Sequence, residues 1–460
     1  MAFEKTGCSV NDGIEGTWNG VIDLNGTPVP IVLHLAVRDS RLSATADFPK
    51  HYRSGVDLLD VSFAGGTLRF GTRNMGAFTG TLSGDGAQID GAFLNKDQRY
   101  PLVLGTGDIR RDEPARPQTP KPPFGYDSEE LWVDRADCRL AGTLTIPSDR
   151  KIRAGILLIT GSGAMDRDET VFGHKPFWVL ADYLSRRGYA VLRLDNRGVG
   201  ASTGDRTTHT IADDVDDMSA ALDRLKEHDD LRGVPTGLIG HSVGGLTGAQ
   251  LAARRGDVAF LVSMAGPGLS VGETFADREC DGLEKANADP VAIERHRAFT
   301  LALYENLRER NDAPIDSAEI TALAERFGAT QTAVVKNSAD WIARFNEPWF
   351  RSLVRCEPAS VLGRVTAPLL AINGNLDAQV CAATNLAAMK RVLETSGHAD
   401  FRIVELAGLN HLFQTCTTGL PYEYPAIEET FAPRALQTIG EWVDARFSVQ
   451  ASPAENSRSK

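Results

Sequence analysis

This sequence predicts an α/β architecture: a mostly parallel sheet with helices on both faces and a helical insertion, preceded by a small antiparallel β domain. Three observations predict it. The first hundred residues alternate apolar and polar positions in short runs. From about residue 127 continuous apolar runs alternate with helical stretches, and between about 269 and 355 that rhythm gives way to amphipathic helices alone. Period two marks a strand with one face in water, whereas unbroken apolar strands joined by helices belong to a parallel sheet covered on both sides. At 460 residues the chain is also too long for one ordinary core, so more than one folding unit is expected.

Taken in order, residues 1–105 carry runs such as VIDL, IVLHLAV, LSATADF and LRFGT, separated by the turn signals Asn25-Gly26, Gly65-Gly66 and Gly84-Asp85-Gly86. That spacing is the grammar of hairpins. Trp18, Phe63, Phe70, Phe78 and Phe93 fall among them and are expected as core. Residues 106–126 hold five prolines between Pro114 and Pro123 among many charges, which predicts an extended linker. Residues 127–450 form the α/β domain, through AGILLITGSG, YAVLRLDNRG, a helix near 210–228, TGLIGHS, VAFLVSMAGPG, APLLAINGNLD, a helix near 382–395, FRIVELAGLNH and a helix near 432–447. The amphipathic stretches at about 269–355 read as a cap over one sheet edge. Residues 451–460 are polar and predict a disordered tail.

Composition excludes several classes of function. A net charge of −12 with no basic stripe argues against wrapping nucleic acid, and no apolar run approaches the roughly 20 residues that span a bilayer. Six cysteines are scattered without a CxxC or zinc-like spacing, so no metal and no cofactor are expected. The start, MAFEKTGCSVNDG, lacks the basic and apolar regions of a secretory signal. A cytoplasmic location follows from the sequence as given, and a periplasmic or secreted one if a signal has been removed.

Chemistry enters with the pattern G-x-S-x-G, which chance supplies about 0.2 times in a chain of this composition. It occurs three times, around Ser202, Ser242 and Ser270. A nucleophilic serine on a strand-to-helix elbow needs an apolar strand that ends on it, small neighbours where the backbone crowds, and a helix that starts at once. Ser242 has all of these: GLIGH runs into it, Gly244 and Gly245 relieve crowding, and a helix follows. Ser202 lies seven residues beyond the strand end at Asp195, and Ser270 is separated from its strand by Pro267 and Gly268.

A serine hydroxyl needs a base, and with an elbow of this kind the acid follows the serine and a histidine follows the acid. His296, His398 and His411 lie downstream of Ser242. Ligands of a parallel sheet bind at the carboxyl ends of its strands, and of the three only His411 comes directly after one, FRIVELAGLN. The same test selects Asp377, just beyond the strand Pro368–Ile372, with a structural turn carboxylate as its alternative role. His241 is expected to fill space in the elbow.

Together LLITGSGAMDRDET, DNRGVGAST, GHSVGG, AINGNLDAQV and LNHLFQ resemble bacterial α/β-hydrolase-fold serine esterases, the carboxylesterases related to serine aminopeptidase-like hydrolases. The likeness covers about residues 127–447, and the β domain ahead is similar to one found in some of these esterases. The resemblance implies an oxyanion hole from the backbone amides of Ser162, in the loop Thr160–Gly163, and Val243. It also implies an acyl or alcohol pocket at Trp341, Trp349 and Phe350, with ordinary cap packing as the alternative for each. Many members carry histidine where this chain has Thr160, and valine-proline where it has Gln379-Val380-Cys381.

The expected activity is hydrolysis of short-chain carboxylic esters through a Ser242–His411–Asp377 triad and an acyl-enzyme, with a small ester as the partner and a homo-oligomer left open. Two alternatives stand beside it. One is a serine aminopeptidase or dipeptidyl-peptidase-like hydrolase, for which Glu347 is the one obvious amine anchor near the aromatic segment. The other is a binding protein on a hydrolase scaffold.

Overall fold

The computed structural model describes residues 14–24, 27–38, 41–48, 53–72, 76–95, 98–106, 115–149, 151–310 and 313–447. The chain divides into two compact units, Met1–Pro114 and Ala115–Lys460.

In the first unit the described residues form one antiparallel sheet. Its strands are β1 (Gly16–Leu24), β2 (Thr27–Arg38), β3 (Arg41–Phe48), β4 (Arg53–Asp57), β5 (Leu59–Ala64), β6 (Thr67–Thr72), β7 (Gly76–Leu82), β8 (Gln88–Asn95) and β9 (Gln98–Thr106). They lie in the order β4-β3-β2-β1-β9-β8-β7-β6-β5, two meanders joined where the first strand pairs with the last. Alternation sorts the side chains: Trp18 and Ile22 point into the core, while Thr17 and Val21, each one position before them, face water. Four of the five aromatic residues expected as core are buried, and Phe70, Phe78 and Phe93 stack across neighbouring strands with ring centres 4.9–5.6 Å apart. Phe63 is half-buried and packs against that cluster. The turn Gly65-Gly66 has positive φ at both positions, as a two-residue hairpin turn between twisted strands requires. Asn25-Gly26 lies outside the described residues.

The second unit is built on a sheet of β10 (Tyr126–Asp134), β11 (Arg139–Pro147), β12 (Ala154–Ile159), β13 (Tyr189–Leu194), β14 (Thr236–His241), β15 (Leu261–Met264), β16 (Leu369–Gly374) and β17 (Phe401–Leu406). The strands lie in the order β10-β11-β13-β12-β14-β15-β16-β17. Pairs from β13 onward are parallel, and β10, β11 and β13 pair antiparallel at one edge. Every residue of β12, β13, β14 and β16 is buried, which is why these strands read as nearly continuous apolar runs. Their side chains divide between two cores. Ile156, Leu158 and Ile239 meet α1 (Pro176–Ser185) and α12 (Pro433–Asp444), whereas Leu157, Ile159 and Leu238 meet α2 (Ile211–Lys226) and α3 (Val243–Arg254).

The chain leaves β12 for β13 on one side and returns to β14 on the other. A crevice therefore opens at the carboxyl end of β12, where ligands of such sheets bind.

Between β15 and β16 the helical block comprises α4 (Val271–Lys285), α5 (Pro290–Glu309), α6 (Ser317–Phe327), α7 (Ala333–Lys336), α8 (Ser338–Asn346), α9 (Pro348–Val354) and α10 (Pro358–Leu362). The remaining helix, α11 (Ala382–Thr395), follows β16. Residues 115–126, part of the Pro-rich stretch, belong to the second unit. Arg116 donates to the carbonyls of Phe172, Pro425 and Ile427 at 2.8–2.9 Å, and Gln118 bonds Thr430 and Phe431. Composition predicts an unpacked tether there, but two polar side chains bonded to the backbone of the second unit hold this part down.

Among the described residues no helix is long and apolar enough to cross a membrane, and no group of three or more His, Cys, Asp or Glu side chains is arranged to hold a metal ion. Cys138, Cys280, Cys356, Cys381 and Cys416 are free thiols.

Candidate active site

Strand β14 ends at His241, Ser242 makes the turn, and α3 begins at Val243. Ser242 sits at φ 54° and ψ −125°, a conformation costing about 1–3 kcal/mol for a residue with a Cβ. Two glycines make so sharp a turn buildable. A Cβ on Gly240 would stand 2.1 Å from the carbonyl oxygen of Gly244, and one on Gly244 would stand 2.2 Å from that of Ile159. The Ser242 amide is anchored on the Met264 carbonyl at 2.8 Å.

Asp377 and His411 come from the loops after β16 and β17, and they meet: His411 Nδ1 lies 2.7 Å from Asp377 Oδ2, both side chains being buried. The other carboxylate oxygen of Asp377 accepts the amides of Gln379 and Val380 at 2.8 and 2.9 Å. This fixes the acid and directs the Nε2 edge of His411 away from it. The His411 loop is shaped by the buried Asn410, whose Oδ1 accepts the amides of Leu412 and Gln414. The other downstream histidines are engaged elsewhere, His398 with the Ala367 carbonyl and His296 with Glu279.

His241 does more than fill space. Its Nδ1 lies 2.9 Å from Glu169 Oε1 and its Nε2 lies 2.9 Å from the His411 carbonyl oxygen, while the same Glu169 oxygen accepts the Gly161 amide at 2.7 Å. Three loops, after β12, β14 and β17, are thereby tied to one buried pair. Burial works against charge on the His241 ring, but the Glu169 carboxylate and the His411 carbonyl outweigh it, and its pKa rises. Glu169 was not among the residues singled out in the sequence. It lies in the motif DRDET, has a positive φ of 51° and is 2% exposed. An acid repeatedly flanked by other acids carries no pattern that marks one of them as buried.

A cavity of about 210 Å³ brings Ser162, Ser242 and Val243 together with Gln379 and Val380. From the helical block Phe275, Arg278, Arg344, Trp349 and Phe350 complete it. Trp349 also donates its indole N–H to Asp214 at 2.6 Å, opposing the rise that burial imposes on that carboxyl. Trp341 is not among the residues that line this cavity and takes the packing role that the sequence leaves open for it. Its ring lies 5.4 Å from Phe345 and 6.3 Å from Phe275, in the packing of the block itself.

A mostly parallel sheet with a serine elbow on β14 and an acid–histidine pair after β16 and β17, two and three strands along the same sheet, defines an α/β-hydrolase, here with an antiparallel β domain ahead of it. A family model described as serine aminopeptidase, S33 (Hydrolase_4) matches residues 177–415, just over half of the chain, and the chain belongs to that family. Esterase EstD of Thermotoga maritima is 28% identical over 291 residues, which cover 63% of this chain and 61% of the relative's length. Among solved structures, an esterase of Pyrococcus furiosus is similar with a TM-score of 0.42 at 15% identity, over 71% of this chain and 92% of its own. Proline iminopeptidase of Mycobacterium smegmatis is similar with a TM-score of 0.42 at 18% identity, over 69% and 98%.

Proposed function

We propose that this hydrolase is a serine carboxylesterase acting on short-chain acyl esters. The observation that carries the reading is the 2.7 Å His411–Asp377 bond at the strand ends where Ser242 turns at positive φ. In this mechanism Ser242 Oγ attacks the ester carbonyl and His411 Nε2 takes its proton. Asp377 holds the Nδ1–H tautomer and stabilises the imidazolium. The negative oxygen of the tetrahedral intermediate is held by the amides of Ser162 and Val243, donors whose individual loss typically costs about 10²–10³ in rate. His411 then returns the proton to the leaving alcohol. Water, activated by the same imidazole, releases the acyl group from Ser242.

The same reading makes residues 269–355 a cap. Its support is that α4, α8 and α9 share one cavity with the elbow. The β domain of residues 1–105 and the segment 106–126 contribute no residue to the proposed chemistry.

A fluorophosphonate tests the assignment directly. It should modify Ser242 stoichiometrically and abolish hydrolysis of p-nitrophenyl butyrate in proportion. Labelling at another serine, or full activity after Ser242 is modified, would reject it.

A further inference from the structure

We infer that the cavity beside Ser242 selects esters that carry a carboxylate, with Arg278 and Arg344 as the residues that recognise it. The inference rests on the esterase reading above and names its substrate class. Among the described residues that line the cavity, the two arginines carry formal charge and none is Asp or Glu. The remaining wall is largely apolar, with Phe275, Trp349, Phe350 and Leu353. A wall built only for a neutral acyl chain would need no cation in it.

Both guanidinium groups are held by rings of that same wall. The Arg278 Cζ stands 4.1 Å from the centre of Phe275, and the Arg344 Cζ stands 4.8 Å from Phe350 and 5.8 Å from Trp349. Stacking occupies the face of a guanidinium and leaves its N–H edge, the part that fits a carboxylate in two parallel hydrogen bonds.

The nearest acids do not cancel this charge. Glu279 lies 3.7 Å from Arg278 and is shared with His296 Nε2 at 2.8 Å and Thr300 Oγ1 at 3.2 Å. Glu347 meets one nitrogen of Arg344 at 3.1 Å with its side chain half exposed, an arrangement that contributes little in water. Glu347 is thus an arginine partner outside the cavity wall and not an anchor for a substrate amine. A positively charged wall repels an α-ammonium group, which sets this cavity against the aminopeptidase alternative.

The test compares three esters of one acyl length: mono-p-nitrophenyl adipate, p-nitrophenyl hexanoate and p-nitrophenyl 6-ammoniohexanoate. A fourth and fifth, 3-acetoxybenzoate and phenyl acetate, place the carboxylate on the leaving side instead. One of the two anionic esters should exceed its neutral counterpart in kcat/KM by about tenfold, as expected for two half-exposed ion pairs, and the ammonium ester should fall below hexanoate. Which anionic ester is preferred tells whether the arginines read the acyl or the alcohol portion. The preference should shrink with added salt. It should collapse toward one in the Arg278→Gln/Arg344→Gln double variant and survive in part in the corresponding lysine variants. Fluorophosphonate labelling shows that each variant retains a folded nucleophile. Equal or better hydrolysis of both neutral esters by the wild type, or a preference unchanged in the double variant, would overturn the inference. If no ester is cleaved while alanine p-nitroanilide is, the esterase reading itself falls.

Discussion

Gly240–Gly244 and Gly268–Gly272 spell the same five-residue pattern, and each serine follows a strand and directly precedes a helix, yet the two serines are in opposite situations. Ser270 has ordinary extended backbone, φ −58° and ψ 161°, and spends its hydroxyl on the Glu273 amide in a reciprocal capping box at the start of α4. Ser242 occupies the equivalent place before α3 at positive φ and makes no side-chain cap bond among the described residues. The third copy is committed too: Ser202 Oγ donates to the Asp195 carbonyl at 2.8 Å and accepts the Ala141 amide at 2.9 Å. A serine is available for chemistry when the local backbone gives its hydroxyl nothing else to do. The cost is strain, which glycines at 240 and 244 make bearable.

The largest effect that separates these loops is chemical. Ser242→Ala should lower kcat/KM for p-nitrophenyl butyrate by about 10⁴-fold or more, some 5.5 kcal/mol of barrier, with the melting temperature unchanged or raised. It removes a hydroxyl that makes no helix-cap bond among the described residues. An active Ser242→Ala protein would break the comparison at once.

Next comes the buried pair behind the elbow. Glu169→Gln should reduce kcat by about 10–10²-fold with little change in KM, because it loosens three loops whose placement sets the reacting geometry. The buried His241–Glu169 pair also predicts a pH signature in stability. The His241 pKa is raised in the folded protein, so the stability it contributes is complete below the ordinary imidazole pKa and is lost as pH rises through the folded value. The melting-temperature gap between wild type and Glu169→Gln should therefore be widest in mildly acidic buffer and narrow toward alkaline pH. A gap that widens with pH would reject the raised His241 pKa.

These cases show what the sequence could carry. Ser242, Asp377 and His411 are legible because strand ends are legible. An apolar run followed by a turn fixes which edge of a parallel sheet a residue occupies, and that edge is where the three lie. Glu169 is not, because its two partners are 8 and 72 residues away and only the closed fold sets them side by side. Arg278 and Arg344 were missed for the same reason: helix periodicity gives each a face but not the wall that face adjoins. Trp341 shows a different limit, since the sequence leaves pocket and packing equally open for it. It stands eight residues before Trp349, but with a different neighbour on each side. Arg116 shows the limit of composition, since prolines and charges predict an open tether wherever no partner carbonyl can be foreseen.

Ser202→Ala should be felt in stability and not in rate. It leaves the Ala141 amide without that acceptor inside the protein, a loss of about 1–3 kcal/mol, while activity per folded molecule stays within about twofold. Denaturant unfolding against active-site titration separates the two. A large drop in kcat with the fold intact would mean that the β13 loop reaches the chemistry.

The smallest effect is the most discriminating, because Ser270 is the copy that most resembles Ser242 in context. Ser270→Ala removes one half of the α4 capping box, which typically costs about 1 kcal/mol. In a domain of this size that is a fall of about 1–2 °C in Tm. Ser270→Asp should restore it, since a carboxylate caps the same amide and sits favourably at the positive end of the helix. Both variants should keep kcat within about twofold, because the bond they alter runs between residues 270 and 273. The pair of substitutions distinguishes capping from nucleophilicity in a way alanine alone does not. Aspartate preserves a cap but cannot replace an attacking hydroxyl. Activity lost in both variants, with Tm restored in Ser270→Asp, would mean that the wrong serine had been chosen.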